Sequence, residues 1–216
     1  MNINGAKINF LGDSITEGVG ASEKSKRYTD LFAAETGATV RNYGISGTRI
    51  ARQQRYPGYV WKPQWDDYAF TDRFEGMDDD ADCVVIFGGT NDYGHGNAPF
   101  GEENDREPDS FIGACHYLLA SLIIKYPEAR IVVMTPMHRS GDDALDSNGR
   151  PLSDYVDTLR TIAEYYGCYV LDMFNTCIID PRDEANREKY APDGLHPSDA
   201  GYEIIKDMLI DFIGKL

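Results

Sequence analysis

The amino-acid sequence predicts an α/β protein built on a mainly parallel β-sheet with helices on both of its faces. Three observations lead to this prediction. Five short apolar runs rich in β-branched residues are spaced along the chain, as is typical of buried parallel strands. Longer segments with apolar residues at helical spacing lie between them. The 216 residues suit one domain, residues 1–216, because no repeat or shift in composition marks a boundary.

Taken in order, the strands are predicted at residues 8–11, 38–43, 83–87, 131–134 and 169–173. Helices are predicted at residues 27–36, from 109 past 122, at 153–166, and from 198 to near the end. Gly37 and Gly167 are expected to end the first and third of these helices, since glycine readily adopts the left-handed conformation that follows a helix.

Three segments show no regular pattern: residues 53–76, 91–108 and 137–151. They follow the second, third and fourth strands, so we expect them to overhang the carboxyl edge of the sheet. Binding sites of parallel α/β sheets form at this edge, and long loops are often functional.

The charge of the chain excludes several classes of partner. There are 36 acidic and 21 basic residues, for a net charge of −15. Binding to nucleic acids or to anionic membranes requires clustered Lys and Arg, so neither is expected as a partner. No apolar run approaches the roughly 20 residues of a membrane span, and no basic region followed by an apolar stretch opens the chain. We therefore expect a cytoplasmic protein without stable membrane association.

The four cysteines favour neither a disulfide framework nor a metal site. Cys83, Cys115, Cys168 and Cys177 form no Cys-x-x-Cys pair, and the four histidines do not cluster with them. Reduced, buried thiols are the expected state in a cytoplasmic protein, and no metal is expected.

A candidate nucleophile follows the first strand. Ser14 stands in the segment Gly12-Asp13-Ser14-Ile15-Thr16, where small and polar neighbours would leave a hydroxyl accessible. This segment is not the Gly-x-Ser-x-Gly elbow, since Thr16 replaces the second glycine. Taken alone, such a segment is more often a turn that begins the next helix.

A candidate base lies near the other end of the chain. His196 follows Asp193 by three residues, with Gly194 between them. A tight turn there would place the carboxylate on imidazole Nδ1 and leave Nε2 free to take a serine proton. The alternative is that Asp193 caps a turn and His196 is a polar surface residue.

Acyl transfer also needs hydrogen-bond donors for a developing oxyanion, and two further strand ends offer them. The second strand runs into Gly44-Ile45-Ser46-Gly47, where a glycine amide could approach a substrate closely. The third runs into Gly89-Thr90-Asn91-Asp92, which carries a side-chain amide. Each segment alone could be an ordinary turn.

Together, the four segments resemble the conserved blocks of the SGNH hydrolases, also called the GDSL esterase/lipase family. Ser14, Gly47, Asn91 and His196 follow one another in the order of that family, and the similarity extends from about residue 7 to the last helix. The resemblance implies a flavodoxin-like three-layer α/β/α sandwich with a five-stranded parallel sheet. It also implies a carboxylic ester hydrolase that needs no cofactor.

The resemblance further implies a catalytic role for three residues. Ser14 would be the nucleophile, His196 the general base and then acid, and Asp193 the carboxylate that orients His196.

Other roles are implied around this triad. The oxyanion hole would consist of the backbone amides of Ser14 and Gly47 and the side chain of Asn91, with Gly44 as the alternative to Gly47. Asp13 and Asp92 would hold the strand-end loops together.

The substrate is expected to be a small ester. Trp61, Tyr93 and His95 lie in loops rich in aromatic residues and are candidate substrate-binding residues. They could instead pack these loops or form a contact between subunits, which leaves a homo-oligomer open. Because neither loop offers a long apolar surface, we expect a short acyl group such as acetyl on a polar or carbohydrate alcohol. An acyl hydrolase of longer chains, of the lysophospholipase or thioesterase type, is the alternative.

Arg139 and Arg150 flank Asp142, Asp143 and Asp146 in the loop after the fourth strand. A solvated charged loop is expected there, with binding of an anionic substrate as the alternative. A domain that binds carbohydrate or a nucleotide without catalysis is a further alternative for the whole chain. Nucleotide binding is disfavoured because the loop after the first strand lacks a phosphate-binding glycine pattern and carries acidic residues. Carbohydrate binding without catalysis is disfavoured because Ser14, Asp193 and His196 are all present.

Overall fold

Five strands form one parallel sheet in the computed structural model, which describes residues 1–216. They are β1 (Lys7–Gly12), β2 (Thr39–Gly44), β3 (Cys83–Phe87), β4 (Arg130–Met134) and β5 (Tyr169–Leu171), in the order β2-β1-β3-β4-β5. Every neighbouring pair is parallel. The predicted strands are confirmed, except that β5 ends at Leu171. Asp172 instead caps a short helix, its Oδ1 accepting a hydrogen bond from Asn175 N at 3.2 Å.

Ten helices accompany the sheet. They are α1 (Ser14–Glu17), α2 (Tyr28–Thr36), α3 (Pro63–Asp66), α4 (Phe70–Arg73), α5 (Thr90–His95), α6 (Phe111–Lys125), α7 (Leu152–Tyr165), α8 (Met173–Thr176), α9 (Glu184–Tyr190) and α10 (Asp199–Gly214). The four predicted helices correspond to α2, α6, α7 and α10. Serine side chains cap two of them, because Ser110 Oγ accepts from Gly113 N and Ser198 Oγ from Gly201 N. None of the ten combines the length and apolar content that crossing a bilayer requires.

The core lies in two layers, one on each face of the sheet. Alternate residues of β1 and β3 point to opposite sides, as the pleat requires. Ile8, Phe10 and Val85 pack against α2 and α10. Leu11 and Val84 pack on the other face, against α6 and α7. The expected three-layer α/β/α fold is therefore confirmed.

Two of the three segments predicted to be irregular contain short helices, so the prediction was wrong there. Residues 53–76 hold α3, α4 and a 3-10 turn at residues 74–76, and residues 91–108 begin within α5. Each of these is a single turn or little more, which is too short for a hydrophobic period to be visible in the sequence. Residues 137–151 have no helix or strand, as predicted.

The strand order determines where a site can form. From β1 the chain moves to β2 on one side of β1 and then to β3 on the other. The connections that leave the carboxyl ends of β1 and β3 therefore diverge and open a crevice, which is where ligands bind in sheets of this kind. Ser14, Gly47 and Asn91 all follow the carboxyl ends of these three strands.

Candidate active site

Ser14 is the first residue of α1, directly past the end of β1. Asp13 caps the helix, because its Oδ1 accepts a hydrogen bond from Ile15 N at 3.0 Å. The backbone N–H of Ser14 has no acceptor within the helix, as at any helix start. A Cβ at Gly12 would collide with the side chain of Thr16, so this tight strand-to-helix connection requires glycine.

His196 and Asp193 lie in a turn just before α10, as the sequence indicated. Asp193 Oδ1 accepts from Leu195 N at 2.9 Å and from His196 N at 2.7 Å, which closes the turn. Gly194 has a φ of 85°, a conformation that favours glycine. The turn places Asp193 Oδ2 2.6 Å from His196 Nδ1.

A continuous hydrogen-bond chain results. His196 Nε2 lies 2.9 Å from Ser14 Oγ, although 182 residues separate the two in sequence. Partial burial would raise the pKa of Asp193, but hydrogen bonds from the His196 side chain and the two backbone amides outweigh it and lower the pKa below 3.8. An ionised carboxylate next to Nδ1 favours the tautomer whose Nε2 can accept a proton from Ser14.

The backbone N–H of Gly47 is free to donate a hydrogen bond to a bound molecule, whereas that of Gly44 is not. Gly44 N already donates to Asn42 Oδ1 at 2.8 Å, and a Cβ at Gly44 would collide with the backbone of Glu17 in α1. Gly47 lines the same cleft as Ser14, and its N–H donates to no protein atom. Gly47 also has a φ of 74°, and a Cβ there would lie 2.8 Å from the Trp65 ring.

Asn91 is buried in the first turn of α5 and its side chain is held at both ends. Its Nδ2 donates to Thr48 O at 3.0 Å, and its Oδ1 lies 3.0 Å from His95 Nε2. An amide nitrogen has two hydrogens, so one remains for a molecule in the cleft. Three free N–H groups, from Ser14, Gly47 and Asn91, thus belong to residues that line one cleft.

His95 connects Asn91 to a buried ion pair. Arg49 Nη2 lies 2.6 Å from His95 Nδ1, and Arg49 Nη1 lies 2.6 Å from Asp66 Oδ1. Burial, and then the charge of Arg49, lower the pKa of His95 from 6.5 to about 4. His95 is therefore neutral at neutral pH.

Asp13 and Asp92 are both buried but make different contacts. Asp92 joins the loop after β2 to α5, because its two oxygens accept from Ile50 N at 2.9 Å and Ala51 N at 3.0 Å. Asp13 bonds only within its own turn, and its Oδ2 has no hydrogen-bond partner. Asp92 thus has the expected position between loops, whereas Asp13 does not link one loop to another.

The cleft above Ser14 has a volume of about 270 Å³. Besides Ser14, Gly47, Asn91, His95 and His196, it is lined by Val19, Ser46, Trp65, Arg139 and Leu195. Only three of these ten residues have apolar side chains: Val19, Trp65 and Leu195.

Two of the three residues expected to bind substrate do not line this cleft. Tyr93 is buried, and its single hydroxyl hydrogen is shared between the carbonyl oxygens of Gly141 and Ala144, at 2.6 and 3.0 Å. Trp61 donates from Nε1 to Asp67 Oδ1 at 2.9 Å, outside the cleft. His95 does line it. Sequence reasoning missed Trp65, because nothing in the pattern of the aromatic loop separates it from Trp61.

Comparison with known proteins identifies the family to which the chain is similar. A family model described as GDSL-like lipase/acylhydrolase matches residues 10–204. One solved structure is 32% identical over 100% of this chain and 99% of its own, with a TM-score of 0.87. A protein from Lactobacillus plantarum is 28% identical over 99% and 98% of the two chains, with a TM-score of 0.83.

An acetylxylan esterase from Geobacillus stearothermophilus, Axe2, shares the fold, at 22% identity over 99% and 97% of the two chains and a TM-score of 0.65. Comparison with curated proteins finds no match. Because the family model covers most of the chain, from β1 into α10, the protein belongs to the GDSL-like lipase/acylhydrolase family and is a carboxylic ester hydrolase.

Proposed function

We propose that the protein is a serine esterase in which Ser14 is the nucleophile, His196 the general base and Asp193 the residue that orients His196. The observation that carries this proposal is the unbroken chain from Asp193 Oδ2 through His196 to Ser14 Oγ, with distances of 2.6 and 2.9 Å. Both distances are within the reach that proton transfer requires.

The reaction then has two halves. Ser14 Oγ attacks the ester carbonyl while its proton passes to His196 Nε2, and the alcohol leaves after His196 returns the proton to it. An acyl-enzyme ester on Ser14 remains. Water attacks this ester with His196 as base, and the acid is released.

The tetrahedral intermediates carry a negative oxygen that needs donors. The Ser14 and Gly47 backbone amides and the second Nδ2 hydrogen of Asn91 supply them. This assignment is supported by the free state of all three N–H groups and by the glycine conformation at residue 47. Fixed donors of this kind stabilise the transition state without reorganising during the reaction.

The substrate is proposed to be a short acyl ester, such as an acetyl ester, of a polar or carbohydrate alcohol. The cleft is open and mostly polar, with only three apolar side chains and no long apolar surface for a fatty acyl chain. Trp65 lines the cleft and offers apolar surface that a sugar ring could contact. The name of Axe2 as an acetylxylan esterase is consistent with this class of substrate.

The test measures labelling and turnover in one set of variants. The wild type should react with a fluorophosphonate and hydrolyse para-nitrophenyl acetate, whereas Ser14→Ala should lose both. Ser46→Ala is the matched control, since Ser46 lines the same cleft but its hydroxyl contacts Glu17 instead of a histidine. It should still be labelled.

Two outcomes would contradict parts of this proposal. Retained hydrolysis in Ser14→Ala would rule out Ser14 as the nucleophile. Faster hydrolysis of para-nitrophenyl palmitate than of the acetate would rule out the short acyl group and support the alternative of longer chains.

A further inference from the structure

Arg139 is the only arginine that lines the cleft of the candidate active site, and its charge is unpaired. It lies in the loop after β4, together with Arg150. Arg150 pairs with Asp154 at 2.8 Å, as expected for a solvated charged loop. Arg139 is half-buried and forms no ion pair, so the two arginines of this loop differ in environment and in the role they can have.

The guanidinium of Arg139 is held in place by only one of its nitrogens. Nη1 donates to the carbonyl and hydroxyl oxygens of Thr90, each at 3.2 Å. Gly94 leaves room for this group, because a Cβ there would lie 2.6 Å from Nη1. The Tyr93 ring lies 5.7 Å from Cζ. These contacts fix the plane of the guanidinium.

The opposite edge of the group is free. Nε and Nη2 donate to no protein atom, and these two nitrogens form the edge of an arginine that binds a carboxylate through two parallel hydrogen bonds. A carboxylate bound to Nε and Nη2 does not use Nη1, which is the nitrogen that donates to Thr90. The hydrogen bonds of Arg139 to the protein therefore leave its two-point binding edge available.

The electrostatic environment of Arg139 differs from that of most other arginines in the chain. Burial lowers the pKa of Arg139 and outweighs the opposing charges of Asp142, Asp13 and Asp193, none of which forms an ion pair with it. Eight other arginines of this acidic protein pair with an aspartate. A net charge of −15 acts weakly on a bound anion, since salt screens exposed charges beyond about 8 Å.

We propose that Arg139 binds a carboxylate of the substrate, so that the ester cleaved at Ser14 is one that carries a carboxylate group. This inference rests on the proposed function and narrows it from polar esters to carboxylate-bearing ones. It assigns to Arg139 the role of a specificity residue, which contacts a part of the substrate away from the reacting carbonyl.

Pairs of esters that differ only in charge test this proposal. Para- and meta-acetoxybenzoate carry a carboxylate on the leaving group, and the corresponding acetoxybenzamides are neutral. The monoester of succinate and its neutral amide counterpart place the carboxylate on the acyl side instead. For each pair, the ratio of kcat/KM for the carboxylate to kcat/KM for the amide is measured.

In the wild type, at least one pair should favour the carboxylate by about 10- to 100-fold, as charge-assisted hydrogen bonds do. Arg139→Gln should bring that ratio close to one, chiefly by raising KM for the carboxylate. Arg139→Lys should keep part of the preference, because it retains the charge and loses the two-point geometry. Arg150→Gln, the matched control from the same loop, should keep the wild-type ratio.

Wild-type ratios near one for every pair, or an Arg139→Gln ratio equal to that of the wild type, would overturn the proposal. A loss of kcat on both members of each pair, with the ratio preserved, would show instead that Arg139 only supports α5 through Thr90. If turnover is slow, protection of Ser14 from the fluorophosphonate by meta-hydroxybenzoate, compared with its amide, gives the same contrast. Absence of any labelling of Ser14 would identify a failure of the proposed function itself.

Discussion

His95 has only one tautomer compatible with its neighbours. Arg49 has hydrogens but no lone pair, so Nδ1, 2.6 Å from Arg49 Nη2, must be the acceptor. Nε2 therefore carries the hydrogen and donates to Asn91 Oδ1 at 3.0 Å. This bond in turn places Nδ2 of Asn91 toward Thr48 O and the cleft. The orientation of the Asn91 amide thus depends on a chain that begins at Arg49.

Replacing His95 with alanine tests this dependence. Without the bond from Nε2, the Asn91 amide can rotate, and its nitrogen is no longer fixed toward the oxyanion. We expect kcat to fall by about 10- to 100-fold, less than the full loss of an oxyanion donor, with a smaller change in KM. Steady-state hydrolysis of para-nitrophenyl acetate measures both parameters.

The double variant provides the control. If His95 acts through Asn91, then adding His95→Ala to Asn91→Ala should cost little more than Asn91→Ala alone. Fully additive losses in kcat would contradict this mechanism and give His95 a role of its own.

The contact between β2 and α1 decides how close the segment around Ser14 lies to the loop that carries Gly47. Gly44 ends β2, and a Cβ there would collide with the backbone of Thr16 and Glu17. We expect Gly44→Ala to lower the free energy of unfolding by about 1–3 kcal/mol, because two backbone segments must move apart. Urea unfolding measures this change.

Gly76→Ala is the matched control for this prediction. No atom lies within 4 Å of a Cβ built on Gly76, and its φ is not positive. Its stability should stay close to that of the wild type. Equal stability of the Gly44 and Gly76 variants would show that α1 is free to shift, and that the strand end does not set the position of Ser14.

The sequence predicts the parts of the fold that depend on local patterns of residues. The strands could be predicted because buried parallel strands are apolar over their whole length. The one-turn helices α3, α4 and α5 could not, since a single turn shows no period. Had α5 been recognised, the spacing of four residues between Asn91 and His95 would have indicated that their side chains meet.

Local sequence also indicates only some of the residues around the candidate active site. Ser14, Gly47, Asn91 and His196 could be identified from four short segments in a familiar order. The surroundings of Tyr93 could not, because its hydroxyl binds carbonyl groups of Gly141 and Ala144, about 50 residues away along the chain. Such contacts form only in the folded molecule, so local sequence does not indicate whether an aromatic residue of a loop meets substrate or the core.

The pH dependence of the stability of the whole molecule is expected to reflect two buried carboxyl groups, those of Asp13 and Asp92. Burial raises the pKa of Asp13 from 3.8 to about 7 and that of Asp92 to about 6. For Asp92, hydrogen bonds from Ile50 N and Ala51 N offset part of this effect. Asp13 has an unbonded Oδ2 and the larger shift.

The sign of the pH dependence follows from this shift. A carboxyl group whose pKa is higher in the folded state binds a proton more tightly there than in the unfolded chain. Its contribution to stability is complete below about pH 4 and is lost as the pH rises through about 7. Asp13→Asn removes the ionisation and keeps a neutral side chain of the same shape. Relative to the wild type, this variant should therefore gain stability as the pH rises.

Urea unfolding of both proteins is measured at about pH 5 and about pH 8. Between these two pH values, the free energy of unfolding of Asp13→Asn relative to that of the wild type should rise by on the order of 2 kcal/mol. Asp143→Asn is the control, since Asp143 is exposed and makes no ion pair, and its difference from the wild type should not depend on pH. The comparison uses the change with pH and not the absolute stability, so any constant effect of the substitution on the cap of α1 cancels. A difference between Asp13→Asn and the wild type that is the same at both pH values would mean that Asp13 is ionised throughout. The environment of Asp13 would then have to compensate its charge, although Oδ2 has no hydrogen-bond partner.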